Sequence, residues 1–401
     1  MDIVVQKYGG SSVKDLERIK EVAKRIIKRK QTGVKLVVVV SAMGNTTDNL
    51  LSMAYGLSDN PRPRELDVLM STGEQVSIAL LSIALNDMGC RARSFTGQQI
   101  GLMTEGFHTR SKISDIDASV IYEELERDNV VIVAGFQGIN NNNEITTLGR
   151  GGSDTTAVAL AAKLSAVCEI YTDVDGIYTI DPGLYPAARK LEYISYEEMM
   201  EMASLGAGVM HPRSIEIGHN FKVPIYVALN TGDRPGTFIK ESDEIMEKTV
   251  ITGLAVDNND AMVTVNDFPY TVQSVAQLFK GLAERHINVD MISQTTPVSD
   301  RISVSFTIPK NDLPAALESV KQLQEKTGPF TIETDTDIAK LSVVGMGMRT
   351  QPGVAARMFS VLAENDVKIK IITTSEIRIS CTIDPKDQAK AVSALVKEFD
   401  L

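Results

Sequence analysis

One stretch, Thr146-Thr147-Leu148-Gly149-Arg150-Gly151-Gly152-Ser153-Asp154-Thr155-Thr156, gathers glycines, an arginine and capping residues where an anion could be held. Glycine backbones let N–H groups close on an oxyanion, and a helix start adds partial positive charge. Arg150 adds a planar fork that grips a carboxylate or phosphate through two bonds. Lys7, followed by Gly9 and Gly10, is a point charge suited to phosphates held by loop N–H groups. Glu74, just after Gly73, is a candidate partner for a cationic group. Asp173 ends a strand and precedes Asp175-Gly176-Ile177-Tyr178-Thr179-Ile180-Asp181-Pro182, at the carboxyl end where open sheets bind ligands. Taken singly, each has a plainer reading: a glycine turn with a surface arginine, an exposed helix glutamate, a turn at Asp175-Gly176 and a half-buried ring at Tyr178.

Other chemistries lack their residues. The chain has no G-x-x-x-x-G-K-[ST], no H-R-D or D-F-G set, no complete G-x-G-x-x-G, no G-x-S-x-G and no H-E-x-x-H. His108, His211, His219 and His286 show no metal-ligand spacing beyond the wide His211/His219 pair, which reads as structural or surface. No metal ligand is assigned.

These groups need elements to position them. Val130 to Phe136 is short and β-branched like a buried strand, and Ala157 to Val167 is rich in helix formers. The glycines therefore fall at a strand-to-helix turn, with Ser153 or Asp154 as the cap. Ile3 to Gln6 reads as a strand before Lys7, and Asp15 to Lys30 as a helix with a 3.6-period apolar stripe. Lys35 to Val40 is a strand leading into Ser41-Ala42-Met43-Gly44, with Asn45 to Asp48 opening a helix that begins at Asn49. Glu65 to Asn86 reads as a helix interrupted near Ser71-Thr72-Gly73-Glu74, and Glu169 to Asp173 and Pro224 to Leu229 as further strands. Such alternation over about 230 residues predicts an α/β domain with a mainly parallel sheet covered on both faces.

The boundary falls near Thr231 to Gly236, followed by acidic Glu241 to Glu247. Beyond it the pattern repeats. Ala261 to Val265, Thr271 to Arg285, Asn288 to Gln294, Arg301 to Ile308, Leu313 to Glu325 and Phe330 to Glu333 make one ferredoxin-like βαββαβ unit. Ala339 to Val344, Val354 to Glu364, Lys368 to Thr374, Glu376 to Ile383 and Lys386 to Phe399 make βαββα, one strand short. The segment Thr249 to Val256 would complete it, so the first unit is expected to be inserted within the second. Leu282 to Val289 and Leu362 to Ile369 carry matching helix-to-strand phrases. The expected domains are 1–240, 261–335, and 249–256 plus 339–401.

The 401 residues are 43% hydrophobic and 23% charged, enough for two or three cores. A net charge of -11 argues against nucleic acid and anionic membrane surfaces as partners. Cys90, Cys168 and Cys381 are far apart and odd in number, which predicts reduced core thiols. No run is expected to reach membrane-spanning length, no leader pattern is read, and a cytoplasmic location is the expectation.

In order and spacing, these motifs resemble the aspartokinases of the amino acid kinase superfamily. Lys7-Tyr8-Gly9-Gly10-Ser11-Ser12 is similar to the family's K-F-G-G-T-S. Val40 to Gly44, Gly73-Glu74, Thr147 to Asp154, Tyr171 to Tyr178 and Gly206 to Pro212 match as well, and the repeats resemble paired ACT domains. The likeness is greatest to lysine-sensitive enzymes of Gram-positive bacteria. It implies ATP-dependent phosphorylation of the L-aspartate side chain to 4-phospho-L-aspartate, the first step towards lysine, threonine and methionine, with Mg²⁺ carried on the phosphates. It makes Lys7 and Asp154 catalytic, with Asp154 holding the lysine in place. Arg150 would clamp the α-carboxylate and Glu74 the α-ammonium, while Ser41, Thr47, Gly151, Gly152 and Ser153 complete the substrate pocket. Lys7, Tyr8, Gly9, Gly10, Thr172, Asp173, Tyr178 and Asp181 would bind ATP. The ACT pair would sense lysine, alone or with threonine, near Gln294, Val367, Ile369, Ser375, Glu376 and Ile377, and work in a homo-oligomer.

The chain departs from the family at Tyr8, at Gly183 and Gly208 where many members carry cations, and at Asp267-Phe268-Pro269-Tyr270, which replaces a D-x-P-G. Two other readings compete: a kinase for glutamate, N-acetylglutamate or a nucleoside monophosphate, and an amino-acid sensor without catalysis. A zwitterion clamp of Glu74 with Arg150 and the ACT pair disfavour the former, and intact Lys7 and Asp154 the latter.

Overall fold

A computed structural model describes residues 2–206, 208–232, 234–241 and 250–401. They form two compact units: 2–177, 190–204 and 208–241 in one, and 178–189, 205–206 and 250–401 in the other. The first opens with β1 (Ile3–Tyr8), α1 (Leu16–Lys30), β2 (Lys35–Val40), α2 (Thr46–Leu57) and α3 (Pro63–Asp87). Next come β3 (Ala92–Phe95), β4 (Leu102–Glu105), β5 (Lys112–Ile116), α4 (Ser119–Glu126), β6 (Val130–Ala134), β7 (Gln137–Ile139) and β8 (Ile145–Thr147). α5 (Gly152–Lys163), β9 (Val167–Thr172), β10 (Tyr193–Ser195), α6 (Tyr196–Ser204), α7 (Pro212–Phe221), β11 (Ile225–Leu229) and β12 (Thr237–Lys240) complete it.

Eight strands form one sheet in the order β10-β12-β11-β9-β1-β2-β6-β3, parallel except for β11 against β12. β1, β2 and β6 are buried along almost their whole length, as strands covered on both faces are. The chain leaves β1 towards β2 on one side, and β9 pairs on the other. In open sheets of this kind, ligands bind beyond the carboxyl ends of the strands near such a switch. A small sheet, β5-β4-β7-β8, was not expected from sequence.

Three local expectations are corrected. β1 runs on through Lys7 and Tyr8 instead of ending at Gln6. α3 is continuous through Ser71 to Glu74: Gly73 is helical, and a Cβ there would lie 2.8 Å from the Ala42 Cβ, so it marks a close approach, not a break. By length and composition α3 could also cross a membrane, contrary to the expectation that no run would reach that length. In this unit its inward face carries two carboxylates, Asp67 and Glu74, seven residues apart and so on one side of the helix.

The second unit holds β13 (Gly253–Asp257), β14 (Asp260–Pro269), α8 (Ser274–Ala283), β15 (Ile292–Gln294), β16 (Arg301–Pro309), α9 (Leu313–Thr327) and β17 (Thr331–Asp335). β18 (Ala339–Val344), α10 (Val354–Glu364), β19 (Ile369–Thr374), β20 (Arg378–Ile383) and α11 (Gln388–Phe399) follow. Its two antiparallel sheets are β15-β16-β14-β17 and β13-β18-β20-β19. β13 precedes the first repeat yet pairs with β18 of the second, which is the expected insertion. Thr249 of that strand expectation lies outside the described residues. Residues 178–189, expected in the first domain, belong here instead because Ile180 enters this unit's core and Thr179 O accepts from Leu254 N at 2.7 Å.

Lys340 in β18 ties the repeats together. Its ammonium is buried 2.6 Å from Asp260, 2.8 Å from Asp290 and 3.5 Å from Asp257. Removing it would leave three neighbouring carboxylates short of a counter-charge. Lys340→Ala is expected to destabilise this unit by about 3–5 kcal/mol, seen as a lowered denaturation midpoint. A midpoint unchanged from the parent would show that the cluster contributes little.

Candidate active site

Lys7 projects from the end of β1 and is only 8% exposed. Its ammonium lies 2.6 Å from an Asp154 carboxylate oxygen. Asp154 sits in the first turn of α5, where a helix start favours negative charge. Neither Ser153 nor Asp154 caps that helix, contrary to expectation. Gly151 is the N-cap, in the left-handed region at φ 67°, and so the chain enters the helix earlier. A side chain at Gly151 would also strike His211, with the two Cβ atoms 2.2 Å apart. Gly10 is fixed in the same way, since a Cβ would lie 2.9 Å from Ala42 O.

Glu74 is 2% exposed. One carboxylate oxygen accepts from Ala42 N at 3.1 Å, and the other has no hydrogen-bond partner. Burial pushes the carboxyl up to about 8, against the pull of the backbone N–H groups. A buried acceptor facing a cleft calls for a cationic guest.

Asp67, one face-repeat earlier on α3, is fully buried. It accepts from Thr109 N at 3.0 and 3.1 Å, from Thr147 Oγ1 at 2.5 Å and pairs with His108 Nδ1 at 2.6 Å. The sequence reading did not single out Asp67. Its one signal was a lone carboxylate among Leu66, Val68, Leu69 and Met70. His211, read as structural or surface, caps α7 through Nδ1, which accepts from Arg213 N at 3.3 Å. Burial and the neighbouring Arg213 hold its imidazole below the usual histidine range.

A cleft of about 630 Å³ brings together Lys7, Gly10, Ser41, Thr47, Glu74 and Arg150 to Asp154. The catalytic and substrate residues expected from sequence thus share one space. Leu51, Tyr55, Leu66, Met70 and Phe136 form an apolar wall that the sequence reading did not name. Arg150 is exposed and makes no hydrogen bond or ion pair among the described residues.

The family model described as the amino acid kinase family matches residues 2–229, and one described as an ACT domain matches 269–324 and 341–399. Aspartokinase 2 of Bacillus subtilis (strain 168) is 46% identical over 402 residues, covering 100% of this chain and 98% of its own. The chain belongs to the aspartokinases of the amino acid kinase family. Escherichia coli aspartokinase III in complex with aspartate and ADP, in the R-state, has the same fold at a TM-score of 0.82, with 25% identity and 99% of each chain covered. The T-state of that enzyme, in complex with lysine and aspartate, gives 0.79 at 25% identity and the same coverage.

Among the residues expected to bind nucleotide in an aspartokinase, Tyr8 differs from expectation. Its ring is fully buried, stacked 5.0 Å from Tyr171, and its hydroxyl donates to Gln6 Oε1 at 3.3 Å, leaving only its backbone to meet a nucleotide. Gly9 N donates to Tyr171 O at 3.3 Å. Thr172 ends β9 and Asp173 follows just beyond it, with Thr172 Oγ1 donating to Asp173 at 3.1 Å. Tyr178 and Asp181 lie in the second unit, where Asp181 accepts from Gly183 N at 2.8 Å. The residues expected near the effector also lie there. Gln294 ends the fully exposed edge strand β15, Val367 is buried, Ile369 starts β19, Ser375 N donates to Arg378 O at 2.8 Å and Glu376 pairs with Arg349 at 3.0 Å.

Proposed function

We propose that the cleft binds L-aspartate as a zwitterion between Glu74 and Arg150 and presents its side-chain carboxylate to ATP beside Lys7. The unpartnered buried oxygen of Glu74 carries this reading, because an α-ammonium would satisfy it. The free carboxylate of aspartate is ionised at neutral pH, so no general base is required. It attacks the γ-phosphorus in line, the bond to the β-phosphate oxygen breaks, and ADP leaves with the electron pair. Lys7 meets the charge that spreads over the transferring group, and Asp154 fixes the lysine's position.

Ser41, Thr47, Gly151, Gly152 and Ser153 line the aspartate end. Lys7, the backbone at Tyr8, Gly9 and Gly10, and Thr172 and Asp173 serve ATP. Mg²⁺ would ride on the phosphates, where it would neutralise triphosphate charge. The complex of Escherichia coli aspartokinase III with aspartate and ADP supports these ligands for the present chain.

The ACT pair senses lysine, alone or with threonine, and acts in a homo-oligomer. The exposed edge strand β15 supports assembly, since unpaired strand edges seek partners, and the T-state complex of the Escherichia coli enzyme supports lysine. Dependence on ATP and three buried free thiols support a cytoplasmic location.

A coupled ADP-release assay tests the reading with aspartate, glutamate and UMP as separate acceptors. Turnover is expected with aspartate alone, and comparable rates with glutamate or UMP would overturn the substrate assignment. Millimolar lysine should lower the aspartate rate, and by linkage aspartate with ATP should weaken lysine binding in calorimetry. No heat of binding and no inhibition would remove lysine as the effector.

A further inference from the structure

We infer that Arg213 is a positioning residue that sets the aspartate end of the cleft, an inference that rests on the substrate reading above. Arg213 stands in the first turn of α7, after a His211 cap and Pro212 at the first helical position. The fixed φ of proline and the cap hold this backbone in place. Its half-buried guanidinium then divides between two loops. Nη1 donates to Leu148 O at 2.9 Å and Nη2 to Ser111 O at 2.8 Å.

Those carbonyls flank the residues that line the cleft. Leu148 immediately precedes Gly149 and Arg150, and Ser111 lies two residues beyond Thr109. The two loops touch, since a Cβ on Gly149 would sit 3.1 Å from Thr109 O. Ser111 N also donates to Thr147 O at 2.9 Å. Asp67 ties the same pair of loops from α3, through Thr109 N and Thr147 Oγ1. Arg150 follows two residues beyond Leu148, past both ties on this segment, and has no partner of its own among the described residues. Its aim at a carboxylate therefore depends on where Leu148 is held. A lysine at position 213 could reach one carbonyl but lacks the planar fork that spans both.

The test uses the full chain with Arg213→Ala, Arg213→Lys and Arg150→Lys, varying aspartate and ATP separately. Arg213→Ala should raise KM for aspartate about tenfold, with KM for ATP within about twofold, and Arg213→Lys should fall between it and the parent. Millimolar guanidinium should restore part of the aspartate affinity of Arg213→Ala, which a merely structural role would not produce. Arg150→Lys should raise KM for aspartate alone. If it does and Arg213→Ala leaves that KM unchanged, or raises both KM values equally without rescue, the inference is overturned and the substrate site stands. If Arg150→Lys leaves KM for aspartate unchanged, the substrate site itself fails and the inference with it.

Discussion

Lys7→Ala is expected to lower kcat by about 10²- to 10³-fold, with KM for aspartate changed far less. The ammonium sits at the strand end beside Gly9 and Gly10, in a site where water is largely excluded. A charge in that position gains most when negative charge redistributes during transfer, so the loss should appear in the chemical step. The fold should survive, because β1 keeps its pairing with β2 and β9. The substitution also frees Asp154, so Lys7→Ala with Asp154→Asn should cost less than the sum of the two single changes. Purified Lys7→Ala turning over at nearly the parent rate would remove the lysine from the chemistry.

Glu74→Gln should raise KM for aspartate by roughly 30- to 1000-fold, equivalent to about 2–4 kcal/mol, by leaving a bound ammonium without its counter-charge. The parent should also show a pH signature. With its carboxyl near 8, Glu74 is mostly protonated at pH 7, whereas an ammonium guest needs the carboxylate. Binding must expel a proton, so KM for aspartate should fall by up to about tenfold per unit as pH rises from 6 towards 8, then flatten. Stability runs the opposite way. In the unfolded chain the group ionises from its ordinary value of 4.5, while the folded protein keeps the proton until about 8. Between these values rising pH favours unfolding, and Glu74→Gln should remove that slope. Calorimetry in two buffers of different ionisation enthalpy would detect the proton. Equal heats in both, together with a flat pH profile of KM, would contradict the assignment.

Why some of this could be read from sequence and some could not follows from the distance over which each feature is decided. β18 and α10 stand where their apolar period placed them, Ala339–Val344 and Val354–Glu364, because burial on one face imprints itself on consecutive residues. The insertion was legible because one repeat lacked a strand and a spare stood upstream. Lys7, Glu74, Arg150 and Asp154 were legible through glycines that mark close approaches. Asp67 and Arg213 were not: their partners lie 42 and 80 residues away for Asp67, and 65 and 102 for Arg213. Nothing local distinguishes them from a stray helix carboxylate and a surface cation. The β5-β4-β7-β8 sheet escaped because its strands are only three to five residues long.

The pairing of β13 with β18 also imposes an order of assembly. During synthesis β13 emerges before the whole first repeat, while its partner, running from Gly253 opposite Val344 to Asp257 opposite Lys340, comes after it. Until that repeat folds, joining the two strands means closing a long flexible loop, whose entropic cost grows with length. Once folded, the inserted repeat replaces the loop with a short rigid bridge and delivers β18 beside the waiting strand. The second sheet should therefore be the later of the two to form, and slow steps in refolding should report on it. A fragment cut at the start of β14 would keep all of the first repeat but leave β18 as a bare edge, whereas one begun ahead of Gly253 carries its own edge strand.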